Sequence, residues 1–148
     1  MKAIDRLTAD ALIIGGSHAG LSAALTLYRS VHTTVIFDNN MPRNSYATAV
    51  RHTSTWEGRT PAEMREASRK ELVSTGLTTF VDATAESVLR TSEGLFEVTD
   101  NTGSRWQGRT LLLATGSTDI FPDLEGYLDL YTRGMYVLFS EKRVRTAS

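Results

Sequence analysis

Gly15 and Gly20 are separated by Gly16-Ser17-His18-Ala19 and directly preceded by the apolar run Ala11-Leu12-Ile13-Ile14. Glycines spaced in this way between an apolar run and a small-residue helix suit a phosphate-bearing dinucleotide. Gly15 makes the tight turn, a small residue at 17 lets a pyrophosphate approach the backbone, and Gly20 lets the helix pack close to the strand. Ser17 stands where a second glycine is commonest, so the motif is a close variant of G-x-G-x-x-G. Free amides at the helix start then face the anion. The second chemically capable group is Asp38, about 20 residues beyond the turn, where a carboxylate can accept ribose hydroxyls. His18, His32 and His52 are scattered and form neither a metal-ligand spacing nor a Ser/His/Asp arrangement. The chain has no cysteine, so it carries no disulfide, thiolate metal site or thiol redox centre of its own.

These groups need elements to position them. Ala11 to Ile14 reads as a first strand buried on both faces. Ala19 to Arg29 reads as a helix with Leu21, Ala24, Leu25 and Tyr28 as its rows. The β-branched stretch Thr33 to Asp38 reads as a second strand ending in the acid. Strand, glycine turn, helix, strand and acid in one βαβ unit is far more specific than glycines alone. Asn39 to Gly58 is a long polar loop leaving the carboxyl end of strand two, where ligands bind. Thr60-Pro61-Ala62-Glu63 is a capping box with proline at the first helical position. Its helix runs to about Ser74, with Met64, Ala67, Glu71 and Leu72 as rows and Gly76 as its stop. Arg65, Glu66, Arg69 and Lys70 read as a solvated outer face.

Leu77 to Val81 reads as a third parallel strand. From Ala85 the period becomes alternating, with short strands at 87–90, 95–99 and 104–107 separated by turn residues. This predicts an antiparallel β-meander inserted as a crossover. Arg109 to Gly116 then returns as a buried strand ending in a small-residue turn. The fold class expected is α/β, a parallel sheet with helices and a meander crossover.

The bulk properties exclude other classes. At 148 residues the chain can build one domain with a core, and 41% apolar with 22% charged residues is globular. A net charge of −1 gives no field for nucleic acid. No apolar run approaches membrane-spanning length, and the stretch from Met1 to Asp10 lacks the apolar core of a secretory signal. A cytoplasmic location is the default expectation.

The combination resembles a known family. It comprises Ile13-Ile14-Gly15-Gly16-Ser17-x-Ala19-Gly20, the acid-ended second strand, the meander, Leu111-Leu112-Leu113-Ala114-Thr115-Gly116, and Asp119-Ile120-Phe121-Pro122-Asp123-Leu124-Glu125-Gly126-Tyr127. This is similar to the Rossmann-like FAD domain of thioredoxin-reductase-like flavoproteins, within the class II pyridine nucleotide–disulfide oxidoreductases. It also resembles the fungal gliotoxin-type dithiol oxidases of secondary-metabolite clusters, through Phe37-Asp38, Arg43-Asn44, Thr55-Trp56 and the Ile120-to-Tyr127 stretch. The resemblance reaches about Tyr136, which implies an FAD domain at 1–136 and a divergent tail at 137–148.

The resemblance implies roles for individual residues. Gly15, Gly16, Ser17, His18, Ala19 and Gly20 would surround the FAD pyrophosphate. Asp38 and Asn39 would hold the adenosine ribose, and Arg43 and Asn44 would lie near the flavin phosphates. His52 would fall close to the isoalloxazine. Ala83 would give backbone contacts to the adenine, and Ala114, Thr115 and Gly116 would close over the cofactor. Plainer readings stand beside these: His18 as an exposed loop residue, His52 as a satisfied polar group, Arg43 as a surface charge, His32 as structural, and Trp56 and Trp106 as packing residues.

Two departures from the family limit the chemistry. The resemblance implies a second dinucleotide domain for NADPH and a return segment completing the FAD site. No second glycine fingerprint is present, and a truncated chain is expected. The family's Cys-x-x-Cys would follow Tyr136, where this chain reads Val137-Leu138-Phe139-Ser140. Dithiol exchange needs one thiolate to attack and another to resolve, and neither exists here. The leading expectation is an FAD-binding oxidoreductase acting on a small molecule in secondary metabolism. The rivals are a non-redox cyclase, isomerase or dehydratase using His18, His52, Arg43 and Tyr46 for acid–base work, or an inactive or regulatory remnant. A homodimer, or pairing with a full-length relative, is the partner expectation.

Overall fold

The computed structural model describes residues 8–131. The tail expected at 137–148, the Val137–Ser140 segment, the domain end at Tyr136 and the first seven residues lie outside the described residues. The strands are β1 (Ala9–Ile14), β2 (Thr34–Phe37), β3 (Thr78–Val81), β4 (Ala85–Arg90), β5 (Phe96–Asp100) and β6 (Arg105–Leu113). The helices are α1 (His18–Arg29), α2 (Pro61–Ser74) and a short α3 (Tyr127–Leu130), with a 3-10 turn at Arg43–Tyr46.

The strands form one six-stranded sheet in the order β3-β2-β1-β6-β5-β4. β1 pairs parallel with both β2 and β6, and β2 pairs parallel with β3. β5 runs antiparallel to both β4 and β6, which is the expected meander. The chain goes from β1 to one side to build β2 and β3. It then crosses to the far edge of the other side to build β4 and β5, and comes back beside β1 only at β6. Such a reversal opens a crevice at the carboxyl end of the central strand.

The third meander strand and the returning strand, read separately from sequence, are one continuous strand, β6. Gly108, which falls between the two segments, sits in mid-strand opposite Ala9. A Cβ there would lie 2.6 Å from Leu12 Cγ, so the glycine reflects close packing rather than a turn. The end of that strand is also less buried than expected, with Leu113 67% exposed.

Alternation along β1 sends side chains into two cores. Ile13 joins Ile36, Leu21, Ala24 and Leu72 beneath α1 and α2. Leu12 joins Ala9, Val35, Phe37 and Val98, with Phe96 and Trp106 packed alongside. Leu12, Ile13, Ile36 and Phe37 are essentially inaccessible; each such side chain contributes about 1.5–3 kcal/mol through burial. Trp106 packs edge-on to Phe37 at 6.1 Å between centroids. Leu25, expected in the buried row of α1, is partly exposed instead.

The capping box of α2 forms as read. Glu63 N–H donates to Thr60 Oγ1 at 3.2 Å, and Thr60 N–H donates to Glu63 Oε2 at 2.8 Å. Gly76 adopts φ +71° just beyond the helix and closes its end with an N–H bond to Val73 O. Within the long loop, Val50 N–H donates to Arg59 O at 2.6 Å and Val50 O accepts from Gly58 N–H at 3.0 Å.

Candidate functional site: a cleft at the strand ends

Register aligns the site. Ile14 pairs with Phe37 and Leu113, and Phe37 pairs with Val81. Gly15, Asp38, Asp82 and Ala114 are therefore the first residues beyond four strands that end level. Backbone bonds continue past the ladder and hold them there: Gly15 N–H to Phe37 O, Asp38 N–H to Val81 O, and Ala114 N–H to Ile14 O, all at 2.8–2.9 Å.

The glycine turn sits at the centre of this edge. Gly15 has φ +115°, and a Cβ there would overlap the Ala114 carbonyl. A Cβ on Gly16 would overlap the Asp38 carboxyl, so the acid lies directly against the turn. A Cβ on Gly20 would overlap the Gly15 carbonyl oxygen and sit 3.3 Å from Ile13 Cγ2. The three glycines thus allow, in turn, a left-handed bend, close approach of the acid, and close seating of α1. α1 has Ser17 as its N-cap, which makes no side-chain capping hydrogen bond. Its first-turn amides point toward the cleft with the positive end of the helix dipole.

A cleft of about 830 Å³ opens here. Gly15, Gly16, Ser17, His18, Asp38, Asn39, Arg43, Asn44, Ala114, Thr115 and Gly116 all line it. A smaller recess of about 200 Å³ contains Ala83 and shares Gly15, Asn39 and Thr115 with the main cleft. Gly20 is buried beneath the turn, and Ala19 is exposed on α1; neither lines the cleft. His52 lines neither cavity. It lies in the Val50–Arg59 loop at φ +58°, its N–H donating to Glu57 Oε2. The set His18, His52, Arg43 and Tyr46 is therefore not assembled in one cavity. His32 lies away from the cleft, 3.8 Å from Asp10.

Several lining or supporting groups were not singled out from sequence. Arg65 and Arg69 are half-buried, whereas Glu66 and Lys70 are exposed, so only part of the charged face of α2 is solvated. Arg65 Nη1 donates to Asn44 Oδ1 at 3.0 Å, and Arg65 lines the cleft. Arg69 pairs with Asp82 and lies 3.8 Å from Asp38. The i,i+4 spacing of two arginines on one helix face was the available signal.

The opposite wall comes from 117–131. Arg43 Nε donates to both carboxylate oxygens of Asp119 at 3.1 and 3.2 Å, and the Tyr131 hydroxyl donates to Asp119 Oδ2 at 3.1 Å. Burial, then the Asp119 hydrogen bond and charge, holds the Tyr131 phenol above its ordinary value. Tyr46, Phe121, Tyr127 and Tyr131 form an aromatic cluster with centroids 4.7–6.4 Å apart. Among the described residues no group of three His, Cys, Asp or Glu could hold a metal ion, and no helix is long and apolar enough to cross a membrane.

The arrangement fits a dinucleotide. The glycine turn lines the cleft, α1 starts there, and a carboxylate stands beside it. Comparison with known proteins agrees. The family model for pyridine nucleotide-disulphide oxidoreductases matches residues 9–147. The chain is 40% identical over 129 residues to thioredoxin reductase aclD of Aspergillus oryzae, covering 86% of this chain and 41% of that protein. It is 37% identical over 129 residues to thioredoxin reductase sirT of Leptosphaeria maculans, covering 86% and 39%. An oxidoreductase structure from Agrobacterium tumefaciens superposes with a TM-score of 0.76 at 31% identity, covering 83% of this chain and 41% of that one. The chain spans about 40% of the length of the curated relatives it matches. The protein belongs to the pyridine nucleotide-disulphide oxidoreductase family, in its thioredoxin-reductase-like branch.

Proposed function

We propose that the cleft binds FAD and that the chain is the flavin-holding unit of a thioredoxin-reductase-like oxidoreductase acting on a small molecule in secondary metabolism. The observation that carries this is the seating of Asp38 against the side-chain-free face of Gly16, at the mouth of α1. That pairing puts a ribose acceptor beside a pyrophosphate cradle. Gly15, Gly16, Ser17 and His18 would hold the pyrophosphate. Asp38 and Asn39 would hold the adenosine ribose, with Ala83 in the recess beside the adenine. Arg43 and Asn44 would face the phosphates on the flavin side, and Ala114, Thr115 and Gly116 would close the turn.

When bound, FAD supplies electron transfer that no side chain of this chain can perform. The residues themselves bind, orient and neutralise charge. These 148 residues contain no thiol, so dithiol chemistry would need sulfur from outside them. A second copy or a longer relative is the partner proposed.

Purified protein passed through a desalting column should stay yellow, with the visible absorbance of bound flavin. Colourless protein that takes up no added FAD overturns the reading.

A further inference from the structure

We propose that Arg69 is a positioning residue for the adenosine ribose: it fixes the Asp38 carboxylate and offsets its charge against the incoming pyrophosphate. This rests on the FAD reading above. Arg69 is itself fixed from three sides. One terminal nitrogen pairs with Asp82 Oδ1, the guanidinium lies 4.3 Å over the Phe80 ring, and Nη1 stands 3.8 Å from Asp38 Oδ2. Its side chain is 27% exposed and that of Asp38 is 16% exposed, so the pair is shielded from much of the solvent.

The geometry at Asp38 gives each oxygen a separate neighbour. Oδ1 accepts Asn40 N–H at 2.9 Å, while Oδ2 faces Gly16 and Arg69. At 3.8 Å the arginine contact is coulombic rather than a hydrogen bond. Oδ2 therefore keeps its lone pairs for a donor in the cleft while its orientation is held by charge. A dinucleotide brings negative charge to the same turn, which a bare carboxylate would repel. Arg69 stands beside the oxygen of that carboxylate that faces the turn and offsets the repulsion. A planar fork can reach Asp82 and Asp38 together while stacked on Phe80; a lysine ammonium is a point charge and cannot.

The test is a cycle between protein and ligand. Wild type, Arg69→Met and Arg69→Lys are titrated with FAD and with its 2′-deoxyadenosine analogue by flavin fluorescence. Wild type should prefer FAD by about tenfold, the worth of one charge-assisted hydrogen bond. In Arg69→Met the preference should collapse toward unity, and in Arg69→Lys it should fall partway. An Arg69→Met protein that keeps the wild-type ratio, even with both affinities lowered, overturns the proposal and leaves a structural role only. If that variant does not fold, Arg69→Lys decides: an unchanged ratio overturns the proposal. Wild type that binds both ligands equally overturns the ribose role but not the FAD reading. Wild type that binds neither overturns the FAD reading and this proposal together.

Discussion

Gly20, buried beneath the glycine turn, carries a constraint of space. Its Cβ would overlap the Gly15 carbonyl oxygen, so even alanine must push α1 away from the turn. Gly20→Ala should destabilise the fold by about 1–3 kcal/mol, as overpacking does, and should lower flavin uptake. Urea unfolding and visible absorbance of the same sample check both outcomes. Asp100 makes a different point. It is buried, and accepts from Thr102 N–H, Ser104 N–H and Trp106 Nε1 at 2.9–3.1 Å. Burial pushes its carboxyl up, but the hydrogen bonds from Thr102, Trp106 and Ser104 outweigh burial and leave it below its ordinary value. A folded value below the unfolded one means the stabilisation is present above the unfolded value of about 3.9 and is lost as pH falls through the folded one. Wild type should lose stability below about pH 4, and Asp100→Asn should lose it less steeply. The urea midpoint followed against pH is the measurement. Hydrogen bonds from Thr33, Arg51 and Thr60 also hold Asp10, Glu57 and Glu63 low, so the slope should shrink without vanishing. Gly20 and Asp38 were legible in the sequence because their partners lie within one βαβ unit. Arg69 was not, because a charged helix residue reads as solvated until the register of β2 and β3 brings Asp38 and Asp82 to it.

At the scale of elements, β6 joins the two halves of the sheet. Its first part, up to Gly108, pairs antiparallel with β5, and from Gly108 to Leu113 it pairs parallel with β1. Gly108 lies where both pairings meet, opposite Ala9 on one side and Phe96 on the other. Sequence periodicity located both segments but read them as two strands, with this glycine between them. The reason for the glycine, Leu12 Cγ beneath it, lies almost a hundred residues away in the chain and leaves no local trace. By intrinsic preference an alanine should strengthen a strand position held by glycine. Here the Cβ would lie 2.6 Å from Leu12 Cγ, and packing decides the sign. Gly108→Ala should cost about 1–3 kcal/mol, read as a lower denaturation midpoint with an unchanged slope. A stabilised variant would show that Leu12 can move aside. By contrast, the capping box of α2 needed only four consecutive residues to be read, and it formed as read.

For the molecule as a whole, the cleft is assembled from three remote stretches: the glycine turn, the 39–47 loop and the 114–131 segment. The last two meet through the Arg43–Asp119 pair and the aromatic cluster rather than through the sheet. Such regions belong to the low-stability end of a fold, and a ligand that touches all three should couple them to the core. In the proposed binding mode FAD would span that distance, with its phosphates at the turn and its two ends reaching in opposite directions. At a hundredfold excess over its dissociation constant a ligand adds about 2.7 kcal/mol. For a chain of this size that should raise the melting temperature by roughly 10 °C. Riboflavin, which has neither phosphates nor adenosine, cannot engage the turn or Asp38 and should shift it far less at the same concentration. Thermal unfolding followed by circular dichroism with each compound distinguishes the cases. Equal shifts from both would place recognition on the flavin ring alone. No shift from FAD would mean that the turn, the 39–47 loop and the 114–131 segment are not joined by this ligand.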